Sequence, residues 1–157
     1  MASGRWLVVS KFWPLRLSWC AIVPAIFAGM AVATPFLLHS LPALGLALQR
    51  GFALVCHQQS QRSFFLFGGS VAVCARCLGT CLGASAGLLV RVPRSLARRW
   101  LMAAVAINAL DWAAELSGVH GNWVSARFAL GFALGVASAM LIASAEATKT
   151  PTQAKEA

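Results

Sequence analysis

Four apolar stretches separated by short polar or basic segments organise the chain, and their lengths predict four helices of about 20 residues, each able to cross a bilayer. The first runs from about Leu17 to Leu38 and carries no charge. Between Leu41 and Val55 the chain is again apolar, but Pro42, Gly45 and Arg50 interrupt it, which predicts an interfacial or re-entrant piece within the mixed region 39–70. A second span is expected from about Val71 to Val90, stopping at Arg91, and a third from about Trp100 to Gly118. Gly118 to Asn122 reads as a short turn leading to a fourth span at about Val124 to Ala143. Residues 144–157 show no apolar periodicity and predict a disordered tail. The expected fold is therefore all-α: one polytopic bundle over residues 1–143.

Composition strengthens this pattern. The chain has 157 residues, of which 59% are hydrophobic and 11% charged, more apolar surface than one soluble core of that size buries. Lipid is the expected partner. A net charge of +9 would suggest nucleic acid in a soluble protein, but here the cations fall in clusters between apolar stretches. Those clusters are Arg5, Lys11 and Arg16; Arg91, Arg94, Arg98 and Arg99; and Lys149 and Lys155, whereas the opposite loops hold Arg50 and Arg62. The asymmetry places both termini and the Arg91–Arg99 loop in the cytoplasm, with no nucleic-acid role. Trp6, Trp13, Trp19, Trp100 and Trp123 fall near expected helix ends, where an amphipathic indole prefers the interface. The first stretch also has a basic flank and an Ala31-Val32-Ala33 tripeptide that fits a secretory cleavage site; on either reading the chain after Leu38 lies outside the cytoplasm.

Small residues spaced by four predict close helix packing, with Gly79, Gly83 and Gly87 on the second span and Gly131 and Gly135 on the fourth. Arg127 lies on the same face as the latter pair.

With this topology, Cys56, His57, Arg62, Cys74, Arg76, Cys77, His120, Asn122 and Arg127 share the outer end. Asn108, Asp111 and Glu115 line one face of the third span and climb towards them, and Arg127 is the natural partner for Asp111 or Glu115. Glu115, nearer the interface, reads as solvated. Cys20 and Cys81 read as small buried packing residues. Cys74 and Cys77 form a Cys-x-x-Cys opening a helix, where free N–H groups favour thiolate. Adding Cys56 and His57 completes the three-sulfur, one-imidazole set of a tetrahedral zinc site, although side chains of adjacent residues diverge and His57 then acts beside the ion. His39 and His120 are substitutes. Two rival readings stay open: a redox-active Cys74–Cys77 disulfide with Cys56 as the attacking or resolving thiol, and a structural disulfide in a non-enzymatic scaffold or transport accessory.

Cys56-His57, Arg62-Ser63, Cys74-Ala75-Arg76-Cys77 with Gly79 and Gly83, Asp111, and Asn122 with Arg127 and Gly131 together resemble a family of small prokaryotic membrane proteins, the domain-of-unknown-function family 2085. The likeness covers about residues 50–140 and implies a prokaryotic plasma membrane and one shared site for the matched residues. Cys20, Cys81 and Glu115 are not carried over, and Leu78 and Leu130 depart from the more polar residues expected there. A looser architectural likeness is to quinone-reducing membrane thiol oxidases, which implies quinone as a cofactor; the second outer cysteine pair of such enzymes is missing because Cys56 stands alone.

Overall fold

A computed structural model describes residues 15–119, 121 and 123–153, with side chains for 20–119, 121 and 123–145. Arg5, Trp6, Lys11, Trp13, His120, Asn122 and Lys155 lie outside the described residues, as do the side chains of Arg16, Trp19 and Lys149.

Among the described residues, five α-helices carry the fold: α1 (Leu15–Ser40), α2 (Pro42–Ala53), α3 (Ala75–Gly87), α4 (Arg94–Leu116) and α5 (Val124–Gln153). Two segments among the described residues, Cys20–Ser40 in α1 and Val124–Ala145 in α5, are long and apolar enough to cross a membrane. Large apolar side chains on α1 and α4 face outward, among them Val23, Ile26, Phe36, Met102, Val105 and Leu110, as expected of surface solvated by lipid.

Pro42 sets the break between α1 and α2. It occupies the first helical turn of α2, where its missing N–H costs nothing, and only Leu41 separates the two helices. Gly45 then lets α2 lie against the α1 backbone, for a Cβ there would meet the backbone of Leu37 and Leu38. The segment read as interfacial or re-entrant is thus a 12-residue helix folded back on α1.

The second span differs from the sequence expectation. Its helix begins at Ala75 and has 13 residues, about 20 Å, short of a hydrocarbon core of about 30 Å. Val71–Cys74 stays non-helical because its donors are engaged elsewhere: Val71 N–H bonds Phe64 O at 2.9 Å and Ala72 N–H bonds Ala31 O at 3.3 Å. Val71 and Val73 are fully buried, in a core that also holds Ala28, Ala31, Phe52, Cys56 and Leu78. The Ala31 region that also fits a secretory cleavage pattern is therefore a packed part of this core.

Two further differences concern connections. A small antiparallel hairpin pairs Phe65 with Ser70 and Leu66 with Gly69, in a region expected to be purely helical or irregular. Its turn, Phe67-Gly68, has positive φ at both residues (52° and 79°), as a tight two-residue hairpin demands. At the other end α5 continues past Ala143 to Gln153, into the segment read as a disordered tail; Ala145, Ala147 and Lys149 are strong helix formers that extend it.

α3 is enclosed between α1 and α5, and α4 packs on α5. The α3–α5 contact is made by backbone. A Cβ on Gly79, Gly83 or Gly87 would collide with the carbonyls of Phe128, Phe132 and Val136, and one on Gly131 or Gly135 with those of Arg76 and Thr80. The glycine faces read from the sequence are this interface.

Candidate metal centre

The end of the bundle holding the start of α3, the end of α4 and the start of α5 gathers most of the ionisable groups. Cys56 follows α2 directly. Its backbone N–H bonds Phe52 O at 2.9 Å, and its side chain turns into the core, 8% exposed. Cys74 immediately precedes α3, and Cys77 lies in the first turn of α3. The sulfurs of Cys56, Cys74 and Cys77 all lie within 4.8 Å of one another. In a tetrahedral site with Zn–S bonds near 2.3 Å, ligand sulfurs stand about 3.8 Å apart, so a contraction of at most about 1 Å per pair would close them on an ion. The three cysteines are positioned to hold a metal ion.

The local hydrogen bonds favour a thiolate at Cys74. The backbone N–H of Cys74 donates to Cys56 Sγ at 3.2 Å. Cys74, outside the helix that follows it, has its thiol lowered from 9.0 to about 5. The largest cause is a hydrogen bond from the Cys77 thiol; burial opposes it, and the backbone N–H of Cys77, the Cys56 side chain and the backbone N–H of Arg76 add to it. All five cysteines carry free thiols, with no disulfide among them.

Arginines and carboxylates from three helices brace the cluster. Arg76 Nη2 on α3 donates to Asp111 Oδ2 on α4. Arg127 on α5, 5% exposed, forms an ion pair with Glu115. Glu115 also accepts a hydrogen bond from Arg62 at 2.8 Å. Asn108, one turn before Asp111, donates to Leu130 O at 3.1 Å and so ties α4 to α5. The one-face reading of Asn108, Asp111 and Glu115 matches this arrangement. The partner of Arg127 is Glu115, and Asp111 goes to Arg76.

A cavity of about 420 Å³ opens beside the sulfurs, lined by Cys56, Cys74 and Cys77, by Arg62, Arg76 and Arg127, and by His57. No carboxylate of the described residues lines it. Asp111 and Glu115 hold the guanidiniums without reaching the cavity wall.

Some expected residues are placed differently. His57 lines the cavity but is exposed and stands outside the three-sulfur group, because Cys56 is turned inward and its neighbour turns away. The next residue, Gln58, has a positive φ of 48° and anchors the bend through Nε2 to Gln49 O at 2.6 Å. His39 is exposed beside the hairpin turn and does not join the cysteines. Asn122, expected as a supporting polar residue, and His120 lie outside the described residues. Cys81 packs against the core as expected, whereas Cys20, read as buried, is exposed on α1. Glu115 is the residue that sequence reasoning undervalued; its i+4 spacing from Asp111 was the available signal.

Helices with lipid-facing apolar surface and a three-thiol cluster braced by partly buried ion pairs define a helical membrane protein with a candidate metal centre. Over residues 56–141 the chain matches the family model described as "Predicted membrane protein (DUF2085)", and it belongs to that family. It is also 32% identical over 102 residues to an uncharacterized protein of the archaeon Methanocaldococcus jannaschii, an alignment covering 59% of this chain and 64% of that protein. The chain thus spans just under two thirds of that relative's length. No solved structure matches it.

Proposed function

We propose that this is a membrane metalloprotein in which Cys56, Cys74 and Cys77 bind zinc or another thiophilic ion as thiolates, leaving a fourth position open to the cavity. The convergence of three sulfurs from segments 18 residues apart carries the reading. Closed structural zinc sites use four protein ligands, whereas three ligands facing a cavity leave room for an exchangeable group. His57 then acts beside the ion, on whatever occupies that position. Charge balance supports the arrangement. A divalent ion with three thiolates carries one negative charge, and Arg62, Arg76 and Arg127 against Asp111 and Glu115 leave one positive charge to offset it.

In the membrane, α1, α4 and α5 serve as crossings and α3, too short to cross as a helix, completes a fourth together with the buried extended Val71–Cys74 that precedes it, with both termini and the Arg91–Arg99 connection cytoplasmic and the cysteine end outside. The helix directions are consistent with this order, since α3 runs from the cysteine end to the arginine end and α4 returns.

A second reading, thiol–disulfide exchange coupled to a membrane quinone, is favoured by the approach of the Cys77 thiol to Cys74 in a Cys-x-x-Cys, whose hydrogen bond lowers the Cys74 thiol. Metal analysis of the detergent-purified full chain separates the two. The expected result is about one metal ion per chain, falling to background in Cys74→Ser and Cys77→Ser variants whose helical circular dichroism is unchanged. A folded wild-type chain that contains no metal and takes up none from added zinc contradicts the proposal.

A further inference from the structure

At the opposite end of the bundle from the cysteines, a groove of about 540 Å³ runs along the start of α4, lined by Arg94, Ser95, Arg98, Leu101, Met102 and Leu141. We propose that it binds the phosphate headgroup and upper acyl chain of an anionic glycerophospholipid. The site is independent of the metal centre.

Its polar half has the chemistry of a phosphate site. Arg94 and Arg98 are exposed, spaced by four on one helix face, and neither forms an ion pair with a described residue. Ser95 adds an exposed hydroxyl between them. The first turn of α4 contains no acidic residue and no side-chain cap. Leu96 and Ala97 bond back to Pro93 O, which leaves the N–H groups of Arg94 and Ser95 without a helical acceptor at the positive end of the helix dipole. The carboxylates in described ion pairs, Asp111 and Glu115, are committed to arginines at the far end.

Its apolar half selects a lipid over a soluble phosphate. Leu101 and Met102 continue the Arg94–Arg98 face about one turn deeper, and Leu141 on α5 closes the other wall. Met102 is 63% exposed, so a soluble anion would leave this wall uncovered, whereas an acyl chain covers it. Trp100, 59% exposed on another face of α4 at the depth between Arg98 and Leu101, marks the headgroup level. Basic pockets between helices at a membrane face recognise anionic headgroups by this division of labour.

Native mass spectrometry of the full chain in neutral detergent, titrated with phosphatidylglycerol, tests the site. One tightly held phosphatidylglycerol per chain is expected, with phosphatidylcholine much weaker. The R94Q/R98Q double variant should bind about 30-fold more weakly, from roughly fivefold per guanidinium. Ser95→Asp, which adds one opposing charge at an exposed first-turn position that favours acids, gives about a fivefold loss without threatening the helix. Arg50→Gln, at the cysteine end of the chain, leaves binding unchanged. Three results overturn the proposal: R94Q/R98Q and Ser95→Asp that bind as the wild type does, Arg50→Gln losing as much as the double variant, or glycerol 3-phosphate competing as strongly as the lipid, which would make the ligand a soluble phosphate.

Discussion

Gly83→Leu is expected to destroy the α3–α5 pair and with it the folded chain. A side chain at Gly83 would meet the Phe132 carbonyl and Cα, which are backbone atoms of a facing helix and cannot rotate away. Overpacking a core usually costs about 1–3 kcal/mol because side chains and backbone shift to relieve it. Here relief requires the helices to separate, which also opens the neighbouring contacts at Gly79, Gly87, Gly131 and Gly135. The loss should therefore exceed about 3 kcal/mol, a large part of the stability of an ordinary domain. Unfolding titrations in SDS measure it, and Gly29→Ala provides the control: nothing lies within 4 Å of a Cβ there, so the variant gains about 0.5–1 kcal/mol from helix propensity. Equal, small effects at both positions would show that α3 and α5 do not approach as described. The contact also bears on the site, because Gly131 rests against the Arg76 carbonyl and so fixes Arg127 over the cysteines.

Glu115→Gln carries the second large effect, through burial more than through the number of contacts. The Arg127 side chain is 6% exposed and that of Arg62 43%, yet both pair with the same carboxylate. Removing the charge leaves Arg127 buried without compensation, a loss of about 3–5 kcal/mol for a buried pair. An exposed pair is worth about 0–1 kcal/mol, so Arg62→Gln should scarcely change stability. SDS or thermal unfolding of the two variants, side by side, reads the contrast. Similar losses in both would mean that Arg127 reaches solvent and that the network is a surface feature.

The sequence carried these features unevenly, for physical reasons. Glycines at i, i+4 and i+8 announce a helix face wherever they occur in an apolar stretch, so the α3–α5 interface was legible, as was the shared face of Asn108, Asp111 and Glu115. The convergence of Cys56 with Cys74 and Cys77 followed from topology, which places the end of α2 beside the start of α3. Three things were hidden. Apolar character does not distinguish helix from buried extended chain, so Val71–Cys74 read as part of a span although its N–H groups bond to Phe64 and Ala31. His57 read as a ligand because sequence spacing does not show which of two adjacent side chains turns inward. Glu115 read as solvated because the arginine that fixes it, Arg127, comes from another helix and its choice between two carboxylates is decided by packing.

The central claim is that three cysteines hold a metal with one position left open. X-ray absorption at the zinc K-edge, on the full chain loaded with one zinc, tests it most directly. The account predicts three sulfur neighbours at about 2.3 Å and one lighter neighbour at about 2.0–2.1 Å, with the sulfur shell reduced in Cys56→Ser. A first shell of nitrogen and oxygen alone, or a sulfur shell unaffected by Cys56→Ser, would contradict it.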